Sequence, residues 1–220
     1  MQRVMFYSQA RRGTVNEFKQ TVKENADALR EEWGAAGLEQ VAVFACDLYV
    51  CVHAEAVDSH CASNWDWPIS FDRYLEKWPT VPGTNINASE LLPRLSIPMI
   101  DVFHDGVPDE TWRATHSIDE RVGSIARLKP EMVSSYMYYH FQKQEETPGS
   151  FNQTYMIGNL GRLLFSYYEL PARVNPVKGQ GLLSTKQSPA NWHEVMHPHF
   201  DLWEEASEGQ QIWRKMERLL

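Results

Sequence analysis

Residues 121–140, RVGSIARLKPEMVSSYMYYH, repeat the pattern of residues 3–22, RVMFYSQARRGTVNEFKQTV. Both stretches open on Arg-Val, Arg3-Val4 and Arg121-Val122, and both place an aromatic residue fifteen positions after the Arg, Phe18 and Tyr136. Four residues further on, the first stretch has Val22 and the second His140. Identity is low, so the shared pattern is what points to a repeat. A fold used twice, with a titratable group at the matching place in one copy only, points to one working site and one scaffold.

Outward from the first stretch, residues 3–10 read as a strand ended by Arg11-Arg12-Gly13. Thr14 is placed to cap a helix. The apolar residues Val15, Phe18, Val22, Ala26, Leu29 and Trp33 make one stripe down that helix, which Gly34 and Gly37 stop. Val41–Cys46 and Leu48–His53 read as strands joined around Asp47. Pro68 opens a short helix with Phe71, Tyr74 and Leu75, Pro79–Gly83 is a turn, and Met99–His104 (MIDVFH) is a last strand. The order is β-α-β-β-α-β, the ferredoxin-like unit. The second half repeats it. Residues 121–128 form a strand, Pro130 opens a helix to about Gln144, and Gln153–Ile157 with Arg162–Leu170 form a hairpin around Gly158-Asn159-Leu160-Gly161. A Gly/Pro-rich insertion over 171–189 precedes helical segments over Ala190–Ala206 and a final strand over Ile212–Leu219.

The expected fold is therefore α+β: two tandem ferredoxin-like repeats, residues 1–112 and 113–220, divided in the polar stretch Asp105–Ser117. A four-stranded antiparallel sheet with its helices on one face leaves the other face bare, and two such sheets can bury those faces together. A tandem copy thus predicts an intramolecular dimeric α+β barrel, a pseudo-dimer within the chain. Whether whole chains pair into a further homodimer is left open.

The chain has 220 residues, 43% of them hydrophobic, enough for a full core. Net charge is −8 with no basic run, which argues against a nucleic-acid partner. The longest apolar runs are too short to span a bilayer, and the N-terminus has no signal-peptide h-region, so no membrane partner is expected. The three cysteines, Cys46, Cys51 and Cys61, have no CxxC spacing and fit a reducing, cytoplasmic setting. Eight Trp and nine Tyr suit clefts for flat, half-apolar ligands such as sugars, although most such rings serve as core or rim. The sequence carries no Gly-rich phosphate loop and no G-x-S-x-G, and no cofactor is expected.

Tyr136 and His140 share one helix face by their i, i+4 spacing. Val22 in the first copy marks that face as inward. Two readings of His140 stand: a hydrogen-bonded core histidine, or a group that gives and takes a proton near neutral pH. By the same spacing Tyr138 and Tyr139 lie on other faces, at the surface or an interface. His193-Glu194-Val195-Met196-His197 spells HExxH. Pro198 follows at once and pushes the His197 backbone away from helical geometry, so the segment reads as a histidine-rich junction and no metal site is assigned, with adventitious binding by His193, His197 and His199 left open. Gln40 and Gln153 begin corresponding strands, where a Gln can bond a ligand hydroxyl or cap a strand end. Asp72 and Asp201 are placed to flank helix starts.

The second copy resembles the L-rhamnose mutarotase family, small ferredoxin-like sugar mutarotases that work as dimeric α+β barrels. The residues that carry the resemblance are Lys129-Pro130…Tyr136…His140, Arg162-Leu163-Leu164-Phe165, Asn191-Trp192…Leu202-Trp203, and, from the first copy, Asp101-Val102-Phe103-His104. The resemblance implies a proton donor at His140 and a sugar-contacting Tyr at Tyr136. The family's second sugar-binding Tyr falls on Gln153, and its Trp-Trp pair on Leu202-Trp203, so Gln153, Leu202 and Trp203 are the expected substrate-binding positions. In the first copy Phe18 and Val22 replace both key residues, which marks that repeat as non-catalytic. The expected function is a cofactor-independent isomerase that interconverts the α and β anomers of an aldose such as L-rhamnose. The alternatives are a non-catalytic sugar-binding or regulatory barrel and another α+β-barrel enzyme of the monooxygenase kind.

Overall fold

Along residues 2–9 the side chains alternate between two faces of a strand, and Phe6 packs into an aromatic core that fixes which face meets the helices. The computed structural model describes residues 1–79, 93–107, 117–149, 151–174 and 181–220. The protein is mixed α+β, with two antiparallel sheets and few helices, and neither sheet closes into a barrel.

The chain forms two compact units, Met1–Met99 with Glu217–Leu220, and Ile100–Met216. The first contains β1 (Gln2–Gln9), α1 (Val15–Glu24), α2 (Ala26–Ala35), β2 (Leu38–Cys46), β3 (Tyr49–Ala56), α3 (Ser59–Asn64) and β4 (Ile97–Pro98). The second contains β5 (Ile100–His104), β6 (Glu120–Arg127), α4 (Val133–Glu146), β7 (Met156–Leu160), β8 (Leu163–Leu170), α5 (Trp192–Met196) and β9 (Arg214–Lys215). A last strand, β10 (Glu217–Arg218), returns to the first unit. The sheet orders are β10-β2-β3-β1-β4 and β5-β7-β8-β6-β9. Arg3 stands opposite Glu55 across β1 and β3, and Arg121 stands opposite Glu169 across β6 and β8, with both carboxylates buried.

In the first unit the position matching Tyr136 is packed solid. Phe18 and Val22 are buried, and Phe18 meets Trp67 edge-on at 5.5 Å and Phe71 at 6.1 Å. Trp33 closes the cluster against Trp65 and Trp67, at 5.5 and 5.3 Å.

Several elements differ from the sequence reading. The stripe from Val15 to Trp33 lies on two helices, broken at Asn25, whose side-chain amide donates to the Thr21 carbonyl at 2.8 Å. Thr14 makes no side-chain cap; its hydroxyl donates to the carbonyls of Arg11 and Tyr74. The stretch Met99–His104 is not the closing strand of the first sheet. Ile97–Pro98 pairs with β1, while Ile100–His104 pairs with β7 in the second unit. Residues 212–219 divide likewise, Arg214–Lys215 onto β6 and Glu217–Arg218 onto β2. Strand propensity says nothing about which distant sheet edge a strand will join. Over residues 190–206 the helical part is α5 and a 3₁₀ turn at His197–His199, after which Phe200 is extended. The β7–β8 turn is tighter than expected and falls at Gly161-Arg162, with Gly161 supplying φ +59°. The expected boundary at 112/113, most of the turn at 79–83 and the middle of the insertion at 171–189 lie outside the described residues.

Candidate functional site

Helix α4 opens after Lys129-Pro130 through a 3₁₀ turn, Pro130–Met132. Its residues Tyr136, His140 and Gln144 recur every fourth position and share one face. Tyr136 and His140 are buried, and Tyr136 packs in a core with Phe103 of β5, Ala126 of β6, Ile157 of β7 and Leu164 of β8. The sequence reading of an inward His140 beside Tyr136 is what the structure has.

The His140 ring stacks on Tyr136 with centroids 3.9 Å apart and meets Trp192 at 5.0 Å and Phe103 at 5.9 Å edge-on. Its Nδ1 lies 2.9 Å from the carbonyl oxygen of Tyr136. A carbonyl only accepts, so Nδ1 carries the proton and Nε2 carries the lone pair in the neutral ring. Among the described residues Nε2 has no hydrogen-bond partner. Burial pushes the His140 pKa down to about 4; the bond to Tyr136 works against this, and the nearby His199 adds to it. At neutral pH the imidazole is therefore uncharged and able to accept a proton. Burial, with Tyr155 second, also pushes the Tyr136 phenol well up, so it stays protonated.

A second imidazole lies beside Tyr136. His199 is 4% exposed, its ring centroid 6.2 Å from that of Tyr136 and 5.9 Å from that of Tyr139. Its Nε2 shares a hydrogen bond with the Ser135 hydroxyl. The sequence reading grouped His199 with His193 and His197, but those two are exposed while His199 turns inward. Among the described residues no group of three or more His, Cys, Asp or Glu could hold a metal ion. Tyr139, expected at the surface or an interface, is partly buried against the same core, whereas Tyr138 is exposed.

No family model, curated protein or solved structure matches this chain.

Of the expected substrate-binding positions, none joins His140 by a hydrogen bond or ring contact. Gln153 lies in a turn before β7, not at its start, and its backbone N–H donates to the Arg173 carbonyl at 2.7 Å. Trp203 is buried beneath two guanidinium groups, Arg127 at 3.9 Å and Arg214 at 5.0 Å from its ring centroid. Leu202 packs against the α4 core, and its carbonyl accepts from Arg127 at 2.9 Å. Gln40, the counterpart of Gln153, sits at a β2 bulge with φ +50°. Asp72 lies in the first turn of the 3₁₀ helix Ile69–Arg73, as expected, and pairs with Lys77 at 2.7 Å and Arg11 at 3.4 Å; Asp201 flanks no helix start and pairs with Arg162 and Arg127.

One turn along α4 from His140, a cleft of about 310 Å³ is lined by Gln144, Glu145, His104, Gly181 and Leu182. Its volume is at the small end for ligand pockets. His104 is held from both sides: its Nδ1 is 2.7 Å from Asp101, and its backbone N–H donates to the Gln144 side chain at 2.8 Å. Nothing in the sequence pointed to Ser135, to this cleft, or to His199 as a neighbour of Tyr136. Ser135 is adjacent to Tyr136 in the chain, but only folding brings residue 199 to it.

Proposed function

We propose that this protein is a cofactor-independent sugar mutarotase, built from two tandem ferredoxin-like repeats, with His140 as its proton-transfer group. The observation that carries the reading is the state of His140: buried, neutral, tied through Nδ1 to the Tyr136 carbonyl and open at Nε2. The repeat is supported by the two sheet orders and by the Arg3–Glu55 and Arg121–Glu169 registers, which match position for position. The packed Phe18–Trp67–Phe71 cluster supports a scaffold role for the first repeat.

Mutarotation opens the ring of an aldose and closes it on the other face. The anomeric hydroxyl loses its proton as the bond between C1 and the ring oxygen breaks, and the ring oxygen gains one. In its resting state His140 accepts first, at Nε2, and donates on ring closure. General acid–base help contributes about 10²–10⁴-fold, enough to matter for a slow but spontaneous exchange. The substrate would be an aldose such as L-rhamnose, and the setting cytoplasmic.

The experiment is anomer-exchange NMR over 6-deoxy and common aldoses with wild type and His140→Asn. The expected result is a wild-type acceleration that the variant loses. Equal rates for the two proteins on every sugar would falsify the assignment. A second reading is a sugar-binding protein without activity, favoured by the fact that none of the expected substrate-binding positions joins His140 by a hydrogen bond or ring contact. Saturable sugar binding without faster exchange from pH 6 to 8 is its expected signature.

A further inference from the structure

We propose that His199 is the second proton-transfer group of this site, and that its Nδ1 binds the ring oxygen of the sugar. The proposal rests on the mutarotase reading above. That chemistry needs an acid and a base together, and His140 fills one role only.

His199 is held rigidly from three sides. The 3₁₀ turn His197–His199 fixes its backbone, and its carbonyl accepts the Lys129 N–H at 2.9 Å, just before the turn that opens α4. Its Nε2 is engaged by Ser135, one residue before Tyr136. The remaining ring nitrogen, Nδ1, is buried and has no hydrogen-bond partner among the described residues. A buried polar atom without a partner is rare in folded proteins and calls for a ligand or water at that point. The two imidazoles meet the same aromatic ring, His140 stacked on Tyr136 and His199 at its edge. Burial above all, and His199 to a lesser extent, lower the pKa of His140, which leaves His140 as the accepting member. Such a pair divides into an acid and a base.

The step balances as follows. In the proposed step His199 enters with a proton on each ring nitrogen, Nε2–H donating to the Ser135 oxygen and Nδ1–H facing the sugar. His140 takes the anomeric hydroxyl proton on Nε2. The electron pair of that O–H bond forms the C1 carbonyl, the bond from C1 to the ring oxygen breaks, and the ring oxygen takes the proton from Nδ1 of His199. His199 is then neutral and still bonded to Ser135, and the positive charge has moved to His140. After rotation about the C1–C2 bond, closure on the opposite face runs the same transfers backwards. Nothing is oxidised or reduced.

The test uses the full chain and the aldose that wild type exchanges fastest. His199→Gln keeps a donor able to reach Ser135 but has no titratable Nδ1. Its expected exchange rate is lower by on the order of 10²-fold or more, with an unchanged Tm. A long-range ¹H–¹⁵N spectrum of the wild type should show the His199 Nδ1 resonance moving on saturation with that sugar, a readout that needs no variant. An active wild type whose His199→Gln form exchanges at full rate, or whose Nδ1 resonance ignores the sugar, overturns this proposal and leaves His140 standing. A wild type that accelerates no aldose overturns both.

Discussion

The Nδ1 of His140 donates to the carbonyl oxygen of Tyr136, four residues back on the same helix, at 2.9 Å. That one bond fixes the tautomer, and burial keeps the ring uncharged. Stability then depends on pH with a definite sign. The folded pKa, about 4, lies below the ordinary value of 6.5, so between those limits the unfolded chain binds a proton that the folded chain does not. The contribution is fully present above pH 6.5 and is lost as the pH falls towards 4, to the extent of on the order of 3 kcal/mol. Urea unfolding at pH 7.5 and 4.5 should show this loss in wild type and a smaller one in His140→Gln. Parallel pH profiles would remove His140 as its source.

Glu146 fastens the segment 185–188 to the end of α4. Its carboxylate accepts from the backbone N–H groups of Gln187 and Ser188, at 2.7 and 2.8 Å, and from the Thr185 hydroxyl. Desolvation raises its pKa, but the bonds from Ser188, Thr185 and Gln187 outweigh it and hold the carboxyl well below its usual range. Glu146→Ala is expected to speed hydrogen exchange over residues 182–188 while Tm stays close to wild type. Unchanged exchange there would mean that the segment is held by other contacts.

Glu169 is fully buried, with the Tyr167 hydroxyl donating to it at 2.7 Å and Arg121 Nε at 3.8 Å. Removing Arg121 takes one cation away from a buried carboxylate. Arg121→Met should cost roughly 3–5 kcal/mol in denaturant unfolding, and Tyr167→Phe, which removes one donor, about 1–3 kcal/mol. A loss below 1 kcal/mol for Arg121→Met would show that the pair is neither dry nor tight.

Phe18 lies fifteen residues after Arg3, as Tyr136 does after Arg121, and is fully buried among Trp67, Phe71 and Tyr74. Phe18→Ala is expected to cost about 3–5 kcal/mol. Below the unfolding transition it should leave anomer exchange within about twofold of wild type. A folded Phe18→Ala protein that had lost exchange would mean that Phe18 contributes to the site.

Local signals in the chain were strong where one element sufficed to decide them. The i, i+4 spacing of Tyr136 and His140, read against Phe18 and Val22, set the inward face of α4 without coordinates. The broken helix at Asn25 and the shifted β7–β8 turn were less legible, because a side-chain amide and one left-handed glycine decide them. His199 was visible as a histidine but not as a neighbour of Tyr136, since the two stand 63 positions apart in the chain.

What the sequence determined alone is the periodicity: which residues form strands and helices, which face of each is apolar, and where a polar group interrupts such a face. Only the tertiary structure decided partners. It sent Ile100–His104 to β7 and Glu217–Arg218 to β2, and it turned His199 onto Ser135. The reason is physical. Periodicity follows from backbone geometry that each short segment carries within itself, whereas the choice of a sheet edge or a buried hydrogen bond compares free energies among segments far apart in the chain.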